Sequence, residues 1–129
     1  MTRGDVQLEA VQAPAPHTVA LTLESGVPIT VAHRQDVDGE AIVIEAPQGV
    51  GGFHPTWAAH CVTALTAGTE GVFRDDSDPL EPASVTVHPV CVSLTTYGDD
   101  VTLHVTPADR AALAEAITAV AAAVPEVVA

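Results

Sequence analysis

The amino-acid sequence predicts an α+β fold with two layers, in which an antiparallel sheet of about five strands carries two helices on one face. Three observations support this fold: two hairpins whose strands alternate between apolar and polar residues, a third strand that is apolar on both sides, and two helical segments with defined ends. The predicted element order is β-β-β-α-β-β-α, which leaves the second face of the sheet open to solvent.

The length of the chain favours one domain. Its 129 residues are enough to bury a sizeable core without disulfides or metal ions. Residues 1–16 end in Ala13-Pro14-Ala15-Pro16, which is typical of a stiff, extended linker. We therefore expect an N-terminal extension over residues 1–16 and a single α+β domain over residues 17–129. No internal repeat is visible in the sequence.

The last third of the chain, from Pro82 to Val124, predicts a strand, a tight turn, a strand and a helix. The turn is assigned to residues 97–100, with Gly98 and Asp99 at its tip. This register pairs Thr96 with Val101, Leu94 with Leu103 and Val92 with Val105. It gathers large apolar side chains on one face of the hairpin, and a slip of one residue would exchange the two faces.

The final helix has a clear start signal. Thr106 is the predicted N-cap, Pro107 occupies the first helical position, and Asp109 is placed to complete a capping box. One apolar stripe then follows, formed by Leu113, Ile117, Val120 and Val124. This stripe predicts a helix docked on the sheet.

The first hairpin joins residues 18–24 to residues 27–33 through a loop in which Gly26 supplies a positive φ. Its register pairs Leu23 with Val27, Leu21 with Ile29 and Val19 with Val31. The same register places His17 opposite His33, with Cβ atoms about 5 Å apart.

The segment between the hairpins predicts one more strand and one helix. Residues 40–46 are apolar on both sides, which indicates a strand in the interior of the sheet. Residues 47–52 are interpreted as a glycine-rich connection and residues 69–82 as an acidic loop. Residues 55–66 predict a helix that Gly68 terminates. The residues on its inner side are Trp57, Cys61, Ala64 and Leu65.

A possible metal site depends on how the strand that begins at Ser84 continues. Val85 and Val87 are out of phase with Val90 and Val92, and a bulge at His88-Pro89 would restore the phase of one continuous strand. With that bulge His88, Cys91 and His104 project from the same face, and zinc accepts such a ligand set. No CxxC or HExxH spacing accompanies them, so zinc binding is the alternative interpretation and no other cofactor is predicted.

Other chemical motifs are weak. The segment Gln48-Gly49-Val50-Gly51-Gly52 lies between a strand and a helix, as phosphate loops do, but it lacks the Gly-Lys-Ser/Thr ending. No serine stands in a nucleophile-elbow context. The sequence therefore favours a protein that is not an enzyme.

Charge excludes several partners. The chain has 17 acidic residues against four arginines and no lysine, for a net charge of −13. Such a surface repels nucleic acid and anionic membranes. Because neither a signal peptide nor a membrane span is visible, the expected location is the cytoplasm, with both cysteines reduced.

The open sheet face is the predicted interaction surface. Thr95, Tyr97, Thr102 and His104 lie on it, and most of the acidic residues lie in the surrounding turns. A weakly charged sheet with an acidic rim suits a protein partner or self-association, for example as a dimer.

Two stretches carry a resemblance to a family. Pro55-Thr56-Trp57-Ala58-Ala59-His60 is similar to a Pro-x-Trp-Cys-x-x-His segment, with Ala58 where that pattern has cysteine. Residues 90–99 and 103–117 are similar to the closing hairpin and helix of the same proteins. These are small proteins with a domain of unknown function from GC-rich bacteria and their phages, and the resemblance covers residues 55–124. It implies a phage or mobile-element setting and no activity.

The function predicted from these observations is that of a small acidic interaction or adaptor module. By fold analogy, the element order resembles that of secretion-chaperone-like adaptors, which are also small, acidic and dimeric.

Overall fold

Two four-stranded antiparallel sheets and two helices form the part of the chain that the computed structural model describes, which is residues 18–36, 39–75, 83–96 and 99–122. The strands are β1 (Thr18–Thr22), β2 (Pro28–Asp36), β3 (Gly39–Ala46), β4 (Gly49–Phe53), β5 (Gly71–Asp75), β6 (Ala83–Val87), β7 (Cys91–Thr96) and β8 (Asp99–His104). A 3-10 turn (Pro55–Trp57) leads into helix α1 (Ala58–Ala67), and helix α2 (Pro107–Ala122) follows β8.

The α+β class, the antiparallel pairing and the two helices are confirmed, whereas the single sheet of about five strands is wrong. The strands form one sheet in the order β1-β2-β3-β4 and a second in the order β5-β6-β7-β8. The chain thus passes twice through four strands and a helix. Buried side chains of both sheets and both helices belong to one hydrophobic core.

The first sheet follows the predicted hairpin. Val19 pairs with Val31 and Leu21 with Ile29, while the Leu23 amide donates to the Val27 carbonyl at 2.9 Å. Gly26 closes the turn with φ of 97°. β3 lies between β2 and β4, so the predicted interior strand is also confirmed. The predicted pairing of His17 falls outside the described residues.

The glycine-rich segment after β3 is a strand and not a connection. β4 pairs with β3 from Phe53 opposite Ile42 to Gly49 opposite Ala46. It also lies against the strands of the second sheet, most closely β6 and β7. A Cβ on Gly51 would lie 2.5 Å from the Ser84 carbonyl oxygen. Gly51 therefore permits the close approach of two backbones, which a strand prediction based on side chains does not detect.

The predicted acidic loop over residues 69–82 contains β5. Gly71–Asp75 pairs with β6, and Phe73 is buried while its neighbours Val72 and Arg74 are exposed. This alternation is that of a strand with one covered face. The strand is short and overlaps the acidic segment 75–78, so the sequence pattern did not indicate it. Residues 76–82 lie outside the described part of the chain.

The predicted bulge at His88-Pro89 is a turn between two strands. β6 and β7 are antiparallel neighbours with Val87 opposite Val92, and the His88 amide donates to the Cys91 carbonyl at 2.9 Å. The valines change phase because the chain reverses direction there.

The register of the final hairpin differs from the predicted one by two residues. Leu94 pairs with Val101, Val92 with Leu103 and Thr96 with Asp99. A shift of two residues keeps every side chain on its predicted face, so the hydrophobic pattern could not distinguish the two registers.

Each helix packs mainly on the sheet of the other half. α1 contacts β5 and β6, α2 contacts β1, β2 and β3, and the two helices also pack against each other. Helix α1 ends as predicted, with Gly68 at φ 71° and its amide bonded to the Ala64 carbonyl at 2.9 Å. The predicted stripe of α2 is confirmed for Leu113, Ile117 and Val120, which are all buried. Val124 is not among the described residues.

A side chain at the start of α2 also bonds to the loop of the first hairpin. Thr106 Oγ1 accepts the Asp109 amide at 3.1 Å, and Asp109 Oδ2 accepts the Thr106 amide at 3.0 Å, which confirms the capping box. The other carboxylate oxygen accepts the Glu24 amide at 2.9 Å, across 85 residues of sequence. Asp109 is 3% exposed, so its carboxylate connects the two halves from inside the protein.

Gly51→Ala tests the contact between the two backbones. We expect it to lower the free energy of unfolding by about 3 kcal/mol or more, because the Ser84 carbonyl cannot rotate away as a side chain could. Gly52→Ala is the control, since its Cβ would lie 3.1 Å from the Ile42 carbonyl oxygen. Urea titrations of both variants provide the comparison, and equal losses would contradict the close approach of β4.

Asp109→Ala tests the connection from α2 to the first hairpin. The change leaves the partly buried amides of Glu24 and Thr106 without their acceptor, so we expect a loss of about 2–4 kcal/mol. Thr106→Ala removes only the cap and should cost about 1 kcal/mol. Chemical denaturation measures both, and an equal loss would show that the bond to Glu24 adds no stability.

Candidate functional site

The outer side of α1 is the most distinctive surface of the described chain. Its inner side buries Cys61, Ala64 and Leu65, as predicted. Trp57 was predicted on that inner side, but it is 42% exposed. The reason is that Trp57 belongs to the 3-10 turn, whose tighter winding changes the direction of the side chain relative to the helix that follows. A half-exposed tryptophan therefore lies at the start of α1.

A cavity of about 760 Å³ lies between α1, α2 and the start of β3. We call it the helix groove. Its lining residues are Glu40, His54, Pro55, Thr56, Ala58, Ala59, Val62, Thr63, Thr118 and Ala121. Small apolar and threonine side chains form most of the wall, so a ligand with large side chains can approach the backbones of the two helices.

Glu40 is the only carboxylate among the residues that line the helix groove. Its Oε1 lies 3.0 Å from His33 Nε2, and the His33 side chain is only 5% exposed. His33 thus fixes the carboxylate at the edge of the groove. No arginine is among the lining residues, which leaves the groove with an acidic character.

His54, which also lines the helix groove, has a structural role. Its Nδ1 accepts the Thr56 amide at 3.2 Å and lies 3.0 Å from Thr56 Oγ1. The ring thus caps the 3-10 turn with an unprotonated Nδ1. Capping is commonly performed by Ser, Thr, Asp or Asn, so this role of a histidine was not recognisable from the sequence.

A second cavity, of about 440 Å³, lies on the other side of α1 and borders β5. We call it the strand groove. Its lining residues are Ala59, His60, Thr63, Ala64, Thr69, Glu70, Gly71, Val72 and Phe73. Trp57 stands beside it, with its ring centroid 5.6 Å from that of His60 and 6.3 Å from that of Phe73. A single aromatic cluster therefore connects the turn, α1 and β5.

Three of the predicted partner-binding residues, Thr95, Thr102 and His104, lie on the outer face of the second sheet. Thr95 is opposite Asp100 and donates a hydrogen bond to its carboxylate, and Thr102 Oγ1 lies 3.4 Å from Ser93 Oγ. His104 and Thr102 are exposed. Tyr97 falls in a gap of the described chain. The face is polar, and the hydroxyl groups of Ser93, Thr95 and Thr102 have partners within it.

The predicted metal ligands lie in a row across one end of the same sheet. Cys91 is directly opposite His104, and the turn places His88 next to Cys91. His88 Nδ1 lies 3.9 Å from a carboxylate oxygen of Glu70. A row across strands spreads side chains about 5 Å apart per strand. Over residues 18–36, 39–75, 83–96 and 99–122, no three His, Cys, Asp or Glu side chains gather as a metal site.

Two of the arginines are engaged in structural contacts. Arg110 donates from Nε to the Leu65 carbonyl at 3.1 Å and from its guanidinium to the Pro89 carbonyl, so it joins the end of α1 to the β6–β7 turn. A cation there also suits the negative end of the helix dipole. Arg34 pairs with Glu45 on the outer face of the first sheet.

None of the helices in the described ranges combines the length and hydropathy that a membrane crossing requires.

Comparison of the chain with protein-family models, with curated proteins and with solved structures gives no match. The resemblance over residues 55–124 and the phage setting that it implies therefore stay predictions. The function proposed below therefore rests on the fold and on the geometry of the site.

The two cysteines provide a test of the site geometry. Burial raises the pKa of the Cys61 thiol to about 12. Because the thiolate is the reactive form, Cys61 should not react with a thiol reagent at pH 8, while the partly exposed Cys91 should. We expect one reactive thiol in the native protein and two in urea, counted by absorbance. Rapid reaction of both in the native state would contradict the packing of α1.

Proposed function

We propose that this protein is a non-enzymatic interaction module that binds a basic, amphipathic helix of a protein partner in the helix groove. The observation that carries this proposal is the position of Glu40 at the edge of a cavity whose other walls are mostly small and apolar. An apolar helix face with a flanking lysine or arginine complements both properties of such a groove.

Shape supports a helical partner. The groove runs between α1 and α2, and its walls include Ala58, Ala59, Val62 and Ala121. Small side chains permit a third helix to approach closely and to insert larger apolar side chains between the two. The volume of about 760 Å³ has room for several such side chains.

Charge supports a basic partner. The net charge of −13 attracts cations at long range and accelerates their encounter with the protein. At short range Glu40 offers one carboxylate that is already oriented by His33, so little further ordering is needed when a cation binds.

The outer face of the second sheet is the other candidate surface. Thr95, Thr102 and His104 lie there, as the sequence predicted, and self-association through this face stays a prediction. It ranks below the helix groove because its threonines bond to neighbours within the face and no cavity among the two described here opens onto it.

The proposal predicts a specific pattern of binding by substituted proteins. The probe is a synthetic amphipathic helix of leucine and lysine, titrated by calorimetry, with a leucine–glutamate helix as the charge control. Thr118→Arg places bulk and positive charge in the groove and should weaken binding about tenfold, or about 1.4 kcal/mol. Ala119→Arg makes the same change at an exposed neighbour outside the groove and should have little effect.

Glu40→Gln and Glu45→Gln form a second matched pair. Each removes one negative charge, but only Glu40 lines the groove, so only its variant should lose most of the affinity. Equal binding of the acidic helix would refute the proposal. If Thr102→Arg were the variant that abolished binding, the outer face of the second sheet would be the site.

A further inference from the structure

The edge strand β5 leaves backbone hydrogen-bonding groups without a strand partner among the described residues. β5 pairs with β6 on one side only. On its other side, the Arg74 carbonyl accepts the His54 amide at 3.0 Å. Residues two apart in a strand direct their amide and carbonyl groups to the same side, so Val72 also directs both groups to this free edge.

The composition of this edge differs from that of the other edges. β8, at the opposite end of the second sheet, begins with Asp99 and Asp100, and such charges discourage pairing with another chain. The first three residues of β5, Gly71-Val72-Phe73, carry no charge, and Val72 is 51% exposed, while the charged Arg74 and Asp75 stand at the other end of the strand. β4 is covered by the second sheet. β1 is also uncharged, but neither groove borders it.

The strand groove lies beside this free edge. Ala59 and Ala64 of α1 and the ring of Phe73 line it, on the side of the sheet that faces α1. A strand added to β5 would direct every second side chain into this groove and the others outward, next to Val72. Backbone pairing and a side-chain cavity together are the two parts of peptide recognition by strand addition.

The charge at the start of β5 favours a basic residue in the peptide there, whereas the exposed Arg74 near the end of the strand favours an uncharged one. The Glu70 side chain, which precedes the strand, is 73% exposed, and its described partner is His88 at 3.9 Å. An added strand with lysine or arginine on its outward positions would lie within reach of this carboxylate, in the field of a protein with net charge −13.

We propose that β5 binds an extended, basic segment of a partner protein as a fifth strand of the second sheet, with alternate small apolar side chains in the strand groove. This site is separate from the helix groove and does not depend on the function proposed for it. The two grooves are adjacent, because Ala59 and Thr63 of α1 line both of them.

The test uses a blocked peptide of about eight alternating valine and lysine residues, a common strand length. Trp57 is the one tryptophan of the chain and contacts Phe73, so its fluorescence reports directly on the strand groove. We expect saturable binding that weakens as salt is raised to about 0.5 M. Hydrogen exchange should show that the Val72 amide becomes protected when the peptide binds.

Val72→Pro removes one of the two amides, those of Val72 and Arg74, that point to this edge. Proline is tolerated on an edge strand where the missing amide would face away from the sheet, so the ladder to β6 should persist. We expect the dissociation constant to rise at least about tenfold, whereas Val72→Thr keeps the amide and should stay within about twofold. A peptide N-methylated on alternate residues supplies an independent test with the unaltered protein.

Binding that survives both Val72→Pro and N-methylation would overturn the proposal, as would equal binding of a valine–glutamate peptide. A dimer in light scattering that Val72→Pro dissociates would also overturn it, because the edge would then belong to a second copy of the chain. Variants of the helix groove, such as Thr118→Arg, should leave binding of this peptide unchanged.

Discussion

Direct contact between the backbone of β4 and the backbone of the second sheet sets the distance between the two halves of the molecule. Packed sheets are usually about 10 Å apart because side chains fill the space between them. At Gly51 that space is absent, and a Cβ would lie 2.9 Å from Leu94 Cα. Two hydrogen bonds across the junction stabilise the same contact. The His54 amide donates to the Arg74 carbonyl, and the Thr96 hydroxyl donates to the Val50 carbonyl. Both grooves depend on it, since it places α1 between β3 and β5.

Arg110 and Asp109, the one carboxylate that is buried among the described residues, join distant parts of the chain. Asp109 connects α2 to the β1–β2 turn, and Arg110 connects the same helix to the end of α1 and to the β6–β7 turn. Charged groups that are fully bonded at helix ends stabilise these junctions. The other acidic side chains that the structure describes are at least partly exposed, where they repel acidic molecules and leave the grooves suited to basic ones.

Local signals made part of this fold predictable. The first hairpin, the end of α1 at Gly68 and the capping box at the start of α2 each follow from residues close in sequence, and all three are confirmed. β4 was missed because glycine carries no hydrophobic pattern, and β5 because its single buried residue, Phe73, stands beside acidic residues. The open polar face with Thr95 and Thr102 could be predicted from alternation. The grooves could not, since each is formed by elements that only tertiary packing brings together.

The exchange of helices between the two halves has a consequence for how the chain folds. α2 covers β1 to β3, so the first sheet stays without its apolar cover until α2, far along the chain, has been synthesised and has docked. Contacts of such large sequence separation slow folding, because a long loop must close before they form. A nascent chain that ends after α1 would present the apolar side of three paired strands to the cell. The interval before α2 emerges is thus the period in which this protein is most exposed to aggregation and to chaperones.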